Sequence, residues 1–235
     1  MVVRRSFRAK AEGAPTERRR GEALYRIAYR RGNRVIVRGA FGGAETEVAA
    51  WTGYPDSWSR DGRHLLVGRP VQQAYEIWAI RVDGTKEEKA IITDISNADE
   101  ARFSPDGRWI AYHATAENTP YVYVVPYPPT GERWQMSTRG GVQPRWRGDG
   151  RELYYLDMDG QLMRVELPGG NPRQARPAEP LFRTTLQPSS AVDQFTVSND
   201  GQRFVLRRPV GELGTDQAPL SVIVNWRGLA ERAPR

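Results

Sequence analysis

The chain has no cysteine and only two histidines, His64 and His113, in 235 residues. The first absence excludes a disulfide framework, a thiolate zinc site and a cysteine nucleophile. The second excludes a metal site built on three histidines. No apolar run approaches the ~20 residues that a membrane-spanning helix needs. The first ten residues, Met-Val-Val-Arg-Arg-Ser-Phe-Arg-Ala-Lys, lack an apolar stretch of signal-peptide length. Helical periodicity is missing as well, apart from a short piece near Gly228–Arg232.

Catalytic signatures are equally scarce. There is no Gly-x-Ser-x-Gly elbow, no glycine-rich phosphate loop opening a helix, and no His-Arg-Asp or Asp-Phe-Gly. Kinase or hydrolase chemistry would have to come from sequence outside this chain, and no cofactor site is read. The net charge of +7 is confined to one end. Residues 1–31 hold ten basic and three acidic side chains, and the other 204 residues hold 25 of each. The body therefore has no global field to steer it onto phosphates, which argues against a nucleic-acid partner. Lysine is rare (Lys10, Lys86 and Lys89 only), a pattern read as codon bias.

What the chain does have is turns and short apolar runs, with 23 glycines, 17 prolines and 10% aromatics. They are organised by a repeat: Trp58-Ser-Arg-Asp61-Gly62-Arg63, Phe103-Ser-Pro-Asp106-Gly107-Arg108, Trp146-Arg-Gly-Asp149-Gly150-Arg151 and Val197-Ser-Asn-Asp200-Gly201-Gln202. The aspartates are spaced by 45, 43 and 51 residues, close to the ~40–45-residue period of four-stranded propeller blades. The long interval holds a proline- and glycine-rich insertion, 168–179. Asp-Gly between apolar runs is a strong hairpin signal. A second strand follows each turn (His64-Leu-Leu-Val, Trp109-Ile-Ala-Tyr, Glu152-Leu-Tyr-Tyr, Arg203-Phe-Val-Leu), and then a third (Tyr75-Glu-Ile-Trp, Tyr121-Val-Tyr-Val, Gln161-Leu-Met-Arg, Ser221-Val-Ile-Val). Fourth strands run through Ala90-Ile-Ile-Thr, Trp134-Gln-Met-Ser and Leu181-Phe-Arg-Thr. An incomplete blade precedes these, with Leu24–Tyr29, Arg34–Val37 and Glu45–Ala49 as strands two to four. The fold class is thus an all-β propeller of four-stranded antiparallel blades. About four blades are complete or nearly so and one is partial, an arrangement open to an arc. The expected organisation is a basic tail at 1–22, the propeller at 23–229 and a C-terminal tail at 230–235.

Phe103-Ser-Pro-Asp-Gly-Arg-Trp-Ile-Ala-Tyr, Tyr121-Val-Tyr-Val-Val, Trp134-Gln-Met-Ser-Thr-Arg-Gly-Gly and Gln143-Pro-Arg-Trp-Arg-Gly-Asp-Gly-Arg-Glu-Leu-Tyr-Tyr-Leu resemble the TolB-like, WD-repeat-like β-propeller module of bacteria. The ending Leu220-Ser-Val-Ile-Val-Asn-Trp resembles it too. In particular, they look like the C-terminal propeller of eukaryotic-like serine/threonine kinases or of membrane-anchored regulators. The resemblance implies more blades than this chain holds, hence a truncated N-terminus, and a periplasmic or extracytoplasmic setting. It implies a non-enzymatic interaction or sensor module that binds a protein partner or a small polar ligand. The alternative is the non-catalytic propeller portion of a hydrolase or kinase. Loops 69–74, 115–120, 168–179 and 209–219 are expected to carry contacts.

The innermost strands yield one candidate site. Three and five residues before each turn aspartate the side chains are mostly apolar. Four before it stand Ser57, Arg102, Arg145 and Thr196, and six before it Pro55, Glu100, Gln143 and Gln194. Strand alternation puts these two sets on one face, toward a central channel. Glu100, Arg102, Gln143, Arg145 and Gln194 are therefore the expected ligand-binding residues, against the plainer reading of a water-filled channel with paired charges. The repeated Asp61, Asp106, Asp149 and Asp200 are read as turn residues, because a catalytic residue has no reason to recur. Asp157-Met-Asp159-Gly160 is read as a hairpin tip, not a calcium loop, and no metal site is expected.

Overall fold

The computed structural model describes residues 26–39, 43–72, 74–85, 87–94, 96–190, 192–207 and 220–224. The basic segment 1–22, the loop 209–219, the stretch Gly228–Arg232 and the tail 230–235 lie outside them. Eighteen strands and two single 3-10 turns make up the regular structure of the described residues. Strands β1 (Arg26–Arg31), β2 (Arg34–Gly39) and β3 (Thr46–Ala49) form a three-stranded sheet. Next comes a four-stranded sheet of β4 (Tyr54–Trp58), β5 (His64–Val71), β6 (Ala74–Arg81) and β7 (Glu88–Ile92), in chain order. A second one comprises β8 (Ser96–Phe103), β9 (Trp109–Ala116), β10 (Thr119–Pro126) and β11 (Trp134–Gln135). The third is built from β12 (Val142–Trp146), β13 (Glu152–Leu156), β14 (Gln161–Glu166) and β15 (Glu179–Arg183). The last sheet has three described strands, β16 (Phe195–Val197), β17 (Arg203–Arg207) and β18 (Leu220–Val224). Each is an antiparallel meander, as the repeat predicts, and among the described residues the first sheet has three strands. The chain divides into two compact units after Phe103.

One local device recurs at the four turns. In the first, the Ser59 hydroxyl donates to Asp61 Oδ1 at 2.6 Å, and that oxygen accepts from the Arg63 N–H at 3.0 Å. The Ser59 oxygen in turn accepts from the His64 N–H at 2.9 Å. Ser104 and Asp106 repeat this with Arg108 and Trp109, and Ser198 and Asp200 with Gln202 and Arg203. The glycine after each aspartate has φ between 66° and 74°, a region that only glycine enters at no steric cost. The aspartates are therefore turn-builders. Burial pushes the Asp61 and Asp106 carboxyls up, but the serine hydroxyl and backbone N–H outweigh it and hold both below their ordinary value. In the third copy Arg147 replaces the serine and approaches Asp149 at 3.6 Å. Gly148 is required there for another reason: a Cβ would meet the Asn199 carbonyl at 2.7 Å, where the Gly148 N–H donates to that oxygen at 2.9 Å.

The cores lie between sheets. In unit one, Val35, Val37, Val48, Leu65, Val67 and Ile80 are buried together, flanked by Trp51 and Trp58. In unit two, strand β13 is buried on both faces. Leu153 and Tyr155 point into a cluster with Ala111, Val122 and Val165. Tyr154 and Leu156 point the other way, into a cluster with Phe195 and Phe204. The Tyr154 and Phe204 rings meet edge-on at 5.1 Å. Fully burying such side chains is worth about 1.5–3 kcal/mol each, which is why β13 reads as a continuous apolar run.

The expected contact loops are tighter than their composition suggests. Connection 115–120 is a two-residue turn with Glu117 and Asn118 both at positive φ, the hairpin geometry whose twist matches the strands. The 69–74 connection turns at Gln72, φ 52°. Segment 168–179 folds back on its own unit: Ala175 and Ala178 pack against the buried cluster of Ala111, Val122 and Val165 that Trp109, Trp134 and Trp146 also cover. Arg173 bonds to Glu132 and lies 5.4 Å over the Trp134 ring.

Candidate functional site

Strands β4, β8, β12 and β16 stand first in their sheets and lead into the turns. They are not regular. In β4, Pro55 and Ser57 pair with the consecutive residues Val67 and Leu66, leaving Asp56 as an extra residue. In β12, Val142 pairs with Leu156 and Arg145 with Tyr154, so Gln143 and Pro144 both fall opposite Tyr155. Gln143 has φ 61°, and Glu100, at the matching position of β8, has φ 55°. A residue in the left-handed region turns the strand and interrupts its alternation. The two-residue period that placed Glu100 with Arg102, and Gln143 with Arg145, on one face does not run through these bulges.

In unit two the structure brings Gln143, Arg145 and Gln194 together. Gln143 is fully buried. Its Nε2 donates to the carbonyls of Ser189 and Val192 at 2.7 Å each and lies 3.0 Å from Gln194 Oε1. Its Oε1 accepts from the Gln194 N–H at 2.8 Å. Gln194 Nε2 donates to the Gln187 carbonyl at 2.8 Å. The two glutamines thus pin segment 187–194 onto β12. The Arg145 guanidinium, 9% exposed, bonds to the Asp193 carboxylate and to the Pro144 carbonyl at 2.8 Å, and it lies 5.5 Å over the Phe195 ring. Asp193, which no sequence pattern singles out, is its counter-charge.

Glu100 and Arg102 belong to unit one. Arg102 Nη1 donates to the carbonyls of Asp56 at 2.7 Å and Ala101 at 2.8 Å, and it stands 3.7 Å from Asp56 Oδ1. Asp99 and Glu100 are buried beside it, and Asp99 Oδ1 accepts from the Glu100 N–H at 2.9 Å. Gly68 is the floor of this group: a Cβ there would lie 3.2 Å from Asp99 Oδ1 and 3.6 Å from Asp56 Oδ2. Asp56 was placed among the apolar positions by counting; the bulge is what moves it. Among the described residues no set of His, Asp or Glu is arranged to hold a metal ion.

A second feature of unit one was not foreseen. Around the 69–74 hairpin, arginines lie on aromatic rings. Arg69 sits 4.9 Å over Trp51 and 4.8 Å over Trp78, whose rings are 6.1 Å apart. Arg30 lies 4.9 Å over Tyr54, which packs on Tyr75 at 6.0 Å. The indole N–H groups of Trp51 and Trp78 donate to Glu88 and Glu76, both at 2.8 Å. All four rings are half-buried. Aromatic residues scattered over the β3–β4 connection, β4 and β6 give no sequence signal that they meet.

No protein-family model matches the chain, and no curated protein matches it. Solved structures do. The chain is similar to TolB from Acinetobacter baumannii, at 19% identity and TM-score 0.62, over 82% of this chain and 46% of that one. It is similar to a protein assigned as a TolB from Agrobacterium tumefaciens, at 20% identity and TM-score 0.56, over 68% and 61%. A puromycin-hydrolyzing peptidase of Mycobacterium tuberculosis aligns at 15% identity and TM-score 0.61, over 86% and 36%. The chain spans about half the length of the TolB structures it matches, 46% and 61%. With its four-stranded antiparallel sheets repeated along the sequence, the chain has the fold of a TolB-like β-propeller.

Proposed function

We propose that this chain is a non-enzymatic propeller module that binds a protein partner through the arginine–aromatic face of its first unit. The stacking of Arg69 on Trp51 and Trp78, all partly exposed, carries this reading. Tryptophan, tyrosine and arginine are the residues most enriched at binding hot spots, where a rigid ring and a guanidinium offer large contact area at little entropic cost. Short hairpins hold the face, so little order is lost on binding. The test is chemical cross-linking of the full chain in native extract, with partners identified for wild type and for the double variant Arg69→Ala/Tyr75→Ala. At least one partner is expected to drop out while the melting temperature holds. Identical partner sets would end this reading.

The inner strands support a second reading, a small polar ligand bound within a single unit, by Glu100 and Arg102 in unit one or by Gln143, Arg145 and Gln194 in unit two. It is favoured by Glu100 and Gln143, two non-glycine residues held in the left-handed region, because such strain concentrates at functional sites. Any ligand found by thermal-shift screening should lose its shift in Arg102→Ala or in Arg145→Ala, each compared with its own ligand-free melt; a shift unchanged in both eliminates the idea. The likeness to a peptidase keeps the hydrolase-associated alternative distinct, and a peptidase or kinase reading frame upstream of Met1 would be its support.

A further inference from the structure

We infer that β1 takes an added strand: an extended acidic peptide of a partner chain, laid along its open edge and held by Arg26 and Arg30. This rests on the reading of unit one as the partner-binding part, and it names the partner's chemistry. Sheets β4–β7, β8–β11 and β12–β15 have four strands, and the β1–β3 sheet has three, so among the described residues β1 is an edge where the other sheets carry an inner strand. Those inner strands blunt their own edges. β4 has Pro55 and a bulge, β8 has Glu100 at positive φ, and β12 has Pro144 and a bulge, the usual defences against stray pairing. Strand β1 has none of these. It pairs with β2 over six residues without a register shift, and it contains no proline.

The direction of its backbone follows from that register. Arg31 and Arg34 close the two-residue turn. Alternation along an antiparallel pair then turns the N–H and C=O groups of Arg26, Ala28 and Arg30 away from β2. A strand added there gains main-chain hydrogen bonds from the backbone and specificity from side chains at alternate positions. Two of the three side chains at those positions, Arg26 and Arg30, are cationic, and Ala28 between them is buried in the core. Arg26 lies 4.9 Å over Trp58, and Arg30 4.9 Å over Tyr54. Residues 26–49 hold five arginines and two glutamates, and both glutamates are engaged, Glu45 by Arg31 at 2.6 Å and Glu47 by Arg34 at 2.7 Å. Arg26 already donates from Nη2 to the Gly62 carbonyl, whereas a guanidinium resting on a ring keeps its remaining in-plane donors for a carboxylate. Residues 1–25, with seven basic and three acidic side chains, carry the same sign as the edge, which favours a strand from elsewhere.

The experiment is fluorescence anisotropy of the full chain with a labelled peptide of about seven residues, one strand's length, alternating Glu and Val. Its Lys–Val counterpart should bind at least about tenfold more weakly, and Arg30→Glu should weaken the acidic peptide by about tenfold. N-methylating the amides along one peptide edge should abolish binding. Equal affinity of the two peptides, or indifference to methylation, overturns the proposal. So does a concentration-dependent dimer that Arg30→Glu dissolves, which assigns the edge to a second copy, and so does binding seen only after deletion of residues 1–25, which assigns it to that segment. The double variant Arg69→Ala/Tyr75→Ala separates the two claims. Methylation-sensitive peptide binding beside an unchanged partner set removes the face reading and leaves the edge; loss of partners without methylation sensitivity does the reverse.

Discussion

The two units differ in the setting of several of their described arginines, although Arg102 of unit one stands 3.7 Å from Asp56 and Arg173 of unit two lies over Trp134. In unit one, Arg26, Arg30 and Arg69 lie on Trp58, Tyr54 and the Trp51–Trp78 pair. In unit two, Arg145 is bonded to Asp193, and Arg147 and Arg164 stand 3.6 and 3.7 Å from Glu152. The second arrangement is architectural. Glu152 is buried and accepts the Tyr154 hydroxyl, and both the burial and that bond push the tyrosine well above its ordinary value. A guanidinium facing a buried carboxylate has little left for a partner and is costly to remove. One resting on a half-buried ring is the opposite: it adds little to folding and remains open to a carboxylate from outside. The contrast separates residues that hold the fold from residues that can bind.

The sharpest way to break the contrast is to remove a charge from each side. Glu152→Ala leaves Arg147 and Arg164 around an empty buried site, so about 3–5 kcal/mol of stability should be lost in urea unfolding. Arg145→Ala strands Asp193 and the Pro144 carbonyl, but Asp193 is 32% exposed and can rehydrate, so about 2–3 kcal/mol is expected. If either variant melts like wild type, the unit-two network is not structural and the comparison fails.

The turns come next in size. Asp106→Ala removes the acceptor of the Ser104 hydroxyl and the Arg108 N–H and should cost about 1–2 kcal/mol. Asp149→Ala should cost less, because Arg147 in place of serine offers only a 3.6 Å contact. Equal losses would mean that the serine hydroxyl adds nothing to the turn.

These turns were legible in the sequence because the whole device spans few residues: Ser-x-Asp-Gly contains its own acceptors, donors and the residue that tolerates positive φ. The strands were legible for the same local reason. The inner-strand bulges were not. Glutamate and glutamine are poor left-handed residues, so nothing marks Glu100 or Gln143 as the place where alternation stops. Nor was Asp193 visible as the partner of Arg145, 48 residues away. Segment 168–179 is the loop insertion that its prolines and glycines mark; that Ala175 and Ala178 pack on the unit-two core and Arg173 lies over Trp134 depends on partners distant in sequence.

Acidification should act through the turns as well. Asp61 and Asp106 are held below the ordinary aspartate value of 3.8 in the folded chain. A depressed carboxyl stabilises the fold fully above its unfolded value, and that contribution disappears as pH falls through the folded one. The melting temperature should therefore be flat from pH 7 to about 5 and decline below about pH 4. The double variant Asp61→Asn/Asp106→Asn should show a lower plateau and a shallower decline. A decline just as steep would assign acid sensitivity to other carboxylates.

The smallest effect on stability belongs to the face proposed for binding. A cation lying on half-buried rings contributes about 1 kcal/mol, so Arg69→Ala should shift the unfolding midpoint less than the unit-two variants above. Arg69→Lys keeps the charge but loses the planar overlap with Trp51 and Trp78. If the face recognises partners by charge alone, Lys will restore cross-linking. If it recognises them by the flat, preorganised surface that guanidinium and indoles make together, Lys will behave as Ala does, and the geometry argues for the second result. A large loss of stability in Arg69→Ala would show instead that this arginine is as architectural as Arg145, and the distinction between the two units would collapse.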